Sequence, residues 1–197
     1  MKDGRDRLLY RTAFGLGVLA YLSLGLAALR VYFPTTVRLL ILSSLGTGVF
    51  FWGLNRRHSL GPKWKSSFTI RRNIGWKIIT GIAAAIALVG ALAPETEWDA
   101  LWYHLWLPDR WLAAGQPVDM IEEYISLYPL TWEMGYGAAM SFGGPVAAKL
   151  LHFACLPLTG LLVFQILGRF FPTASPWLGV ALLFTAPTVL WEATTAY

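Results

Sequence analysis

Cysteine is nearly absent from this chain. Cys155 stands alone inside an apolar run, which excludes an intrachain disulfide and a cysteine-type metal site. Charge is also scarce, at 14 % of residues, where soluble domains carry about 25 %. Acids are missing altogether between Asp6 and Glu95. With 56 % hydrophobic residues, this is membrane-protein composition and not that of an ordinary soluble domain. The net charge of +5 does not indicate nucleic acid, because the basic residues cluster between apolar runs, where lipid head groups and topology account for them. The chain has no internal repeat and no low-complexity segment.

What is present reads as an all-α, polytopic membrane protein with about five transmembrane helices. Residues 1–54 form a basic N-terminal segment and a transmembrane hairpin. Its first span, Ala13 to Phe33, is long enough to cross a bilayer. It also exceeds the apolar core of a signal peptide, so it is expected to be retained. Pro34 to Thr36 is a tight connection, and Val37 to Leu54 is the second span. Residues 55–77 carry Arg56, Arg57, Lys63, Lys65, Arg71, Arg72 and Lys77 with no acid. Such a loop stays in the cytoplasm, which places the N-terminus inside. Residues 78–197 hold the rest: a span from Ile78 to Leu92, an outer loop 94–145, and two further spans. Val146 to Leu167 is the fourth span, broken in character at Pro157. Trp177 to Tyr197 is the fifth, with Pro187 in its middle. The chain stops while still apolar, which suggests the N-terminal part of something longer. Lys77 is expected to snorkel at the start of the third span.

The outer loop holds eight of the eleven acids, and Arg110 alone opposes them there. Trp98, Trp102 and Trp106 are spaced by four, so on a helix they share a face. Trp98 to Ala113 is predicted to be one amphipathic helix lying flat in the interface, bent near Pro108 and ended by Gly115. Thr131 to Phe142 is predicted to be a second surface helix, with Gly143-Gly144-Pro145 leading into the fourth span. An aromatic belt with solvated acids would explain much of this. Asp99 goes further, because it lies beside the Trp face, where an unused carboxylate is costly.

The run Glu97-Trp-Asp-Ala-Leu-Trp-Tyr-His-Leu-x-x-Pro108, then Trp-x-x-x-Gly115, then Tyr-Pro129 with Glu133 four residues on, resembles the first outer loop of GT-C type membrane glycosyltransferases. The closest likeness is to the polyprenyl-phosphate-mannose-type and lipid A sugar-transferase-like enzymes. It covers roughly Ile78 to Tyr197, with the hairpin as an addition ahead of it. The resemblance implies a hexosyl- or pentosyltransferase that takes its sugar from a polyprenyl-phosphate donor on the extracytoplasmic face of a plasma (inner) membrane. It implies Asp99 as general base on the acceptor hydroxyl. Glu97, Tyr103, His104, Arg110, Lys149 and His152 would then contact substrate, the cationic groups facing the leaving phosphate. Some members bind a divalent cation such as Mg or Mn through such acids, which makes Glu97 and Asp99 the candidate ligands. The family also has more spans and a second acid in a later outer loop, which this chain does not reach.

Plainer roles exist for each residue. His104 could hydrogen-bond at the interface, Lys149 could snorkel, Glu133 could cap or pair within its helix, and Tyr103 could pack. Two other function classes also compete. One is a non-catalytic membrane subunit packing against a larger membrane protein partner. The other, an ion-coupled transporter, is weaker, because Lys149, His152 and Glu192 all fall near span ends.

Overall fold

The computed structural model describes residues 4–55, 73–118, 130–171 and 173–197. The basic stretch 56–72 and the acids Asp119, Glu122 and Glu123 lie outside these residues. So does Pro129 of the family-like motif. Among the described residues every regular element is helical, as the apolar periodicity predicts. In chain order they are α1 (Gly4–Ala28), α2 (Pro34–Asn55), α3 (Ile74–Leu92), a π-helical turn (Ala100–His104), α4 (Trp106–Ala114), α5 (Thr131–Phe153), α6 (Cys155–Phe170), α7 (Pro176–Thr185) and α8 (Pro187–Glu192).

Among the described residues, three helical stretches are long and apolar enough to cross a membrane: Tyr10–Ala28, Ile74–Leu92 and Thr131–Phe170, the last formed by α5 and α6 together. Their outward faces are apolar and bare. Phe14, Ile82 and Val89 are all more than half exposed. In water such surfaces would drive association, whereas in lipid they are solvated.

Three buried clusters lie between the helices among the described residues, the smallest being Leu105, Tyr136, Ala148 and Ala196. In the first, Ala27, Tyr32 and Val37 of the α1–α2 hairpin meet Leu107, Trp111 and Leu112 of α4, with Met134 and Ala138 of α5. The hairpin is therefore packed into the same core as the outer-loop helices. Tyr32 is the anchor. It is fully buried, its hydroxyl donates to the Met134 carbonyl at 2.7 Å, and its N–H donates to the Gly115 carbonyl at 2.8 Å. Gly115 ends α4 with φ 73°, and a Cβ there would strike the Phe33 ring, so glycine is required on both counts. The second core joins Ala83 and Ala87 of α3 to Leu156, Val180 and Phe184 of α6 and α7. Asn73 and Ser175 tie its far end, the Ser175 hydroxyl lying 2.8 Å from Asn73 Oδ1 while capping α7.

Several details differ from the sequence-based expectation. The segment from Trp98 is not one helix bent at Pro108. It is interrupted at Leu105, whose N–H bonds to the Ala100 carbonyl at 2.9 Å in the π pattern. Pro108 sits in the first turn of α4, where its missing N–H has no partner to lose. The inserted residue breaks the Trp register: Trp98 and Trp102 lie 6.1 Å apart, while Trp106 instead takes Arg110 over its ring at 5.3 Å. Nor does α4 lie flat at a free interface, since Leu107, Pro108, Trp111 and Leu112 are buried in protein. Thr131 to Phe142 is not a surface helix. Glu133 to Ala138 and Ser141 are buried, and α5 continues to Phe153 through a kink at Gly143 and Gly144. The break expected at Pro157 falls earlier, at Ala154, for the same first-turn reason. Pro187 does divide the last apolar run, separating α7 from α8. Lys77 lies 5.5 Å from the Trp177 ring.

Candidate functional site

Three alternating acids, Glu95, Glu97 and Asp99, follow the end of α3. In an extended stretch followed by a helix start, they fan out toward one neighbour, the segment after α8. The Glu95 Oε1 accepts from the Thr96 and Glu97 N–H groups at 2.9 and 3.1 Å. Its Oε2 accepts from the Thr195 hydroxyl at 2.8 Å and the Ala196 N–H at 3.1 Å. Glu97 accepts from the Trp191 indole at 3.3 Å, and Asp99 accepts from the Tyr197 hydroxyl at 2.8 Å. The three acids thus hold four residues of 191–197, two of them on Glu95. The segment runs so close to α3 that a Cβ on Gly90 would sit 2.5 Å from Thr194 Cγ2.

Lys149 completes the Glu95 end. Its ammonium donates to the Ala93 carbonyl at 2.8 Å and lies 3.9 Å from Glu95 Oε2. Both side chains are buried, at 2 % and 4 % exposure, so Lys149 does not snorkel. Burial raises the Glu95 pKa. The hydrogen bonds from Glu97, Thr195, Ala196 and Thr96 outweigh burial and leave the carboxyl below its ordinary value.

Behind this row lies a second set of polar groups. Glu133, in the first turn of α5, meets His104 Nδ1 at 2.7 Å. The carboxylate accepts, so Nδ1 carries the proton, and Nε2 is buried with no hydrogen-bond partner among the described residues. Tyr136 donates its hydroxyl to the Tyr197 carbonyl at 2.8 Å. The same hydroxyl contacts His152 Nδ1. One hydroxyl proton cannot serve both, so the imidazole is the donor when Tyr136 bonds Tyr197. The ring of Tyr197 stands 5.4 Å from His104 and 5.5 Å from Trp191.

Of the residues singled out in the sequence, Glu97, Asp99, His104, Lys149 and His152 therefore converge on the segment 191–197 or on its contacts. Tyr103 packs against the first core, with its ring 4.0 Å from His104. Arg110 is placed elsewhere, over Trp106 on α4. Tyr136, Thr195 and Tyr197 could not be singled out in advance, because they meet their partners only through tertiary packing. Glu133 was visible as an acid at a helix start, but its partner was not.

Glu97 and Asp99 do not make a metal site of the usual kind. Among the described residues no three His, Cys, Asp or Glu side chains are grouped to hold an ion, and each of these two acids already serves a protein donor.

The acids differ in what they can do. Glu95 has its lone pairs committed and lies inside. Glu97 and Asp99 are both half-buried with one donor each; Asp99 stands beside Trp98, which is 74 % exposed, and takes the Tyr197 hydroxyl at 2.8 Å. A carboxylate so placed can accept a proton from a group arriving at the rim. Comparison with protein-family models, curated proteins and solved structures returned no match.

Proposed function

We propose that this chain is an integral membrane glycosyltransferase of GT-C type that acts on the extracytoplasmic face of a plasma membrane. In this reading the protein is multi-pass, with five spans and a cytoplasmic N-terminus. The donor is a polyprenyl-phosphate sugar and Asp99 is the general base. The acceptor hydroxyl gives its proton to the Asp99 carboxylate as its oxygen bonds to the anomeric carbon. The bond from that carbon to the lipid phosphate breaks, and the phosphate leaves with the electron pair. His104, paired with Glu133, and His152, which meets Tyr136, stand behind the acidic row as candidate partners for the phosphate. Lys149 serves by fixing Glu95 and not by meeting phosphate.

One observation supports the reading above the others. Among three neighbouring acids, Glu97 and Asp99 are half-exposed with one donor each, an indole at 3.3 Å on Glu97 and a hydroxyl at 2.8 Å on Asp99, while the Glu95 side chain is buried and saturated; of the two open acids, Asp99 is the one in the position that the family-like motif gives to the base. The deciding experiment is sugar transfer from a radiolabelled polyprenyl-phosphate donor in membranes carrying the full chain. Asp99→Asn should lower the rate by about 10²–10⁴-fold, with unchanged expression and insertion. Transfer at the unaltered rate in that variant would remove Asp99 from the chemistry and return the chain to the packing-subunit class.

A further inference from the structure

A second concave feature lies apart from the acidic row. Where the start of α2, the start of α4 and the kink of α5 meet, a groove of about 530 Å³ opens, lined by Pro34, Arg38, Leu101, Trp106, Asp109 and Gly144 among others. The size is within the range of small-molecule sites. Its walls are mostly apolar and carry two charges of opposite sign, Arg38 and Asp109.

These charges do not neutralise each other. No ion pair within 4.0 Å joins them among the described residues, and no described side chain bonds the Asp109 carboxylate. Arg38 is held from one side only. Its Nε donates to the Ser141 carbonyl at 2.5 Å, and its guanidinium lies 5.9 Å from the Phe142 ring. That leaves the terminal amino groups of the fork for another partner. Leu101, in the lining, is 51 % exposed, and the chain neighbours of Arg38 and Ser141, Leu39 at 66 % and Phe142 at 50 %, are exposed apolar side chains next to it.

A ligand that satisfies this arrangement must carry an anion, a neighbouring cation and an apolar tail. We infer that the groove seats a zwitterionic phospholipid of the phosphoethanolamine class. Its phosphate accepts from the Arg38 guanidinium, its primary ammonium donates to Asp109, and its acyl chains lie along the apolar rim. Arginine suits phosphate because its planar fork matches two oxygens at once. A quaternary choline head group has no N–H to give Asp109, and a purely anionic head group would leave that carboxylate facing negative charge.

The test is native mass spectrometry of the purified full chain in detergent, titrated separately with dioleoyl phosphatidylethanolamine, phosphatidylcholine and phosphatidylglycerol. The wild-type protein should bind the ethanolamine lipid about tenfold more tightly than either of the others, the worth of one charge-assisted hydrogen bond. Asp109→Asn should abolish the preference for ethanolamine over glycerol head groups. Arg38→Gln should weaken all three lipids together. Equal binding of the three lipids by the wild-type chain would overturn the assignment without reference to any variant. So would an unchanged ethanolamine-to-glycerol ratio in Asp109→Asn.

Discussion

The Glu95 carboxylate and the Thr195 hydroxyl, one hundred residues apart in the chain, meet at 2.8 Å. This contact, with the Ala196 N–H on the same oxygen, fastens the segment after α8 to the end of α3. Lys149 lies behind it, nearly sealed from solvent. Removing the Glu95 charge therefore strands a buried ammonium, which costs about 3–5 kcal/mol in comparable sites. Glu95→Gln should be strongly destabilised in thermal melts of the detergent-solubilised protein. Adding Lys149→Met should recover much of that loss, since an apolar side chain of similar length needs no counter-charge. A double variant no more stable than Glu95→Gln alone would show that the pair is not coupled.

The same carboxyl sets a pH dependence. Its folded pKa lies below the ordinary 4.5 because the donors around it outweigh its burial. A group with a lowered folded pKa adds stability above its unfolded value and loses it as pH falls through the folded value. Melting temperature should accordingly drop on acidification below the ordinary carboxyl range, and Glu95→Gln should flatten that part of the curve. Parallel curves for the two proteins would assign the acid sensitivity to other groups.

The helical class and the apolar stretches were legible in the sequence because long runs of Leu, Ala, Gly and Ile allow little else. The end of α4 at Gly115 and the division at Pro187 were legible for the same local reason. Asp99 could be singled out from charge and aromatic spacing alone. The partners could not. Trp191, Thr195 and Tyr197 reach the acids across 94 to 100 residues of chain, and no local pattern encodes that pairing. The π turn at Ala100–His104 was also invisible, since one inserted residue leaves composition unchanged while rotating every side chain after it. The burial of Thr131 to Phe142 was misjudged because small residues such as Gly135, Gly137 and Ala138 look neutral in a polarity pattern. Their smallness instead permits close packing, of Gly137 and Ala138 against Tyr32 and of Gly135 against Leu151.

Gly115 tests the junction between the hairpin and α4. Its left-handed conformation costs any other residue about 1–2 kcal/mol, and the Phe33 ring occupies the space a methyl would need. Gly115→Ala should lower the melting temperature by several degrees, more than Gly81→Ala on α3, where a Cβ meets nothing within 4 Å. Equal effects at the two positions would mean that the Tyr32–Gly115 junction does not limit stability.

Tyr32 separates packing from hydrogen bonding at the same junction. Tyr32→Phe keeps the ring in the first core and removes one donor to the Met134 carbonyl. The loss should be about 0.5–1.5 kcal/mol. Tyr32→Ala also empties a fully buried ring site and should cost about 3–5 kcal/mol. Denaturant titration of the two variants would give the ratio. Similar losses would place the energy in the hydroxyl, against the packing seen around it.

Asp99 and Tyr197 share one hydrogen bond but have different work to do. Asp99→Asn keeps an oxygen that can accept from the Tyr197 hydroxyl, so the segment 191–197 should stay in place and stability should change little. It loses the ability to take a proton, so transfer should collapse. Tyr197→Phe does the reverse. The ring keeps its stacking on Trp191 and His104, the carboxylate stays charged, and one charge-assisted bond is lost. Transfer should then fall by about tenfold at most. Melting temperature should fall further than in Asp99→Asn, because the segment loses a tether. Measuring rate and melting temperature on both variants separates a base from a structural clasp. If the two variants lose activity in proportion to their loss of stability, Asp99 is a clasp for the terminal segment and the proton acceptor must be sought at His104, whose Nε2 has no protein partner among the described residues.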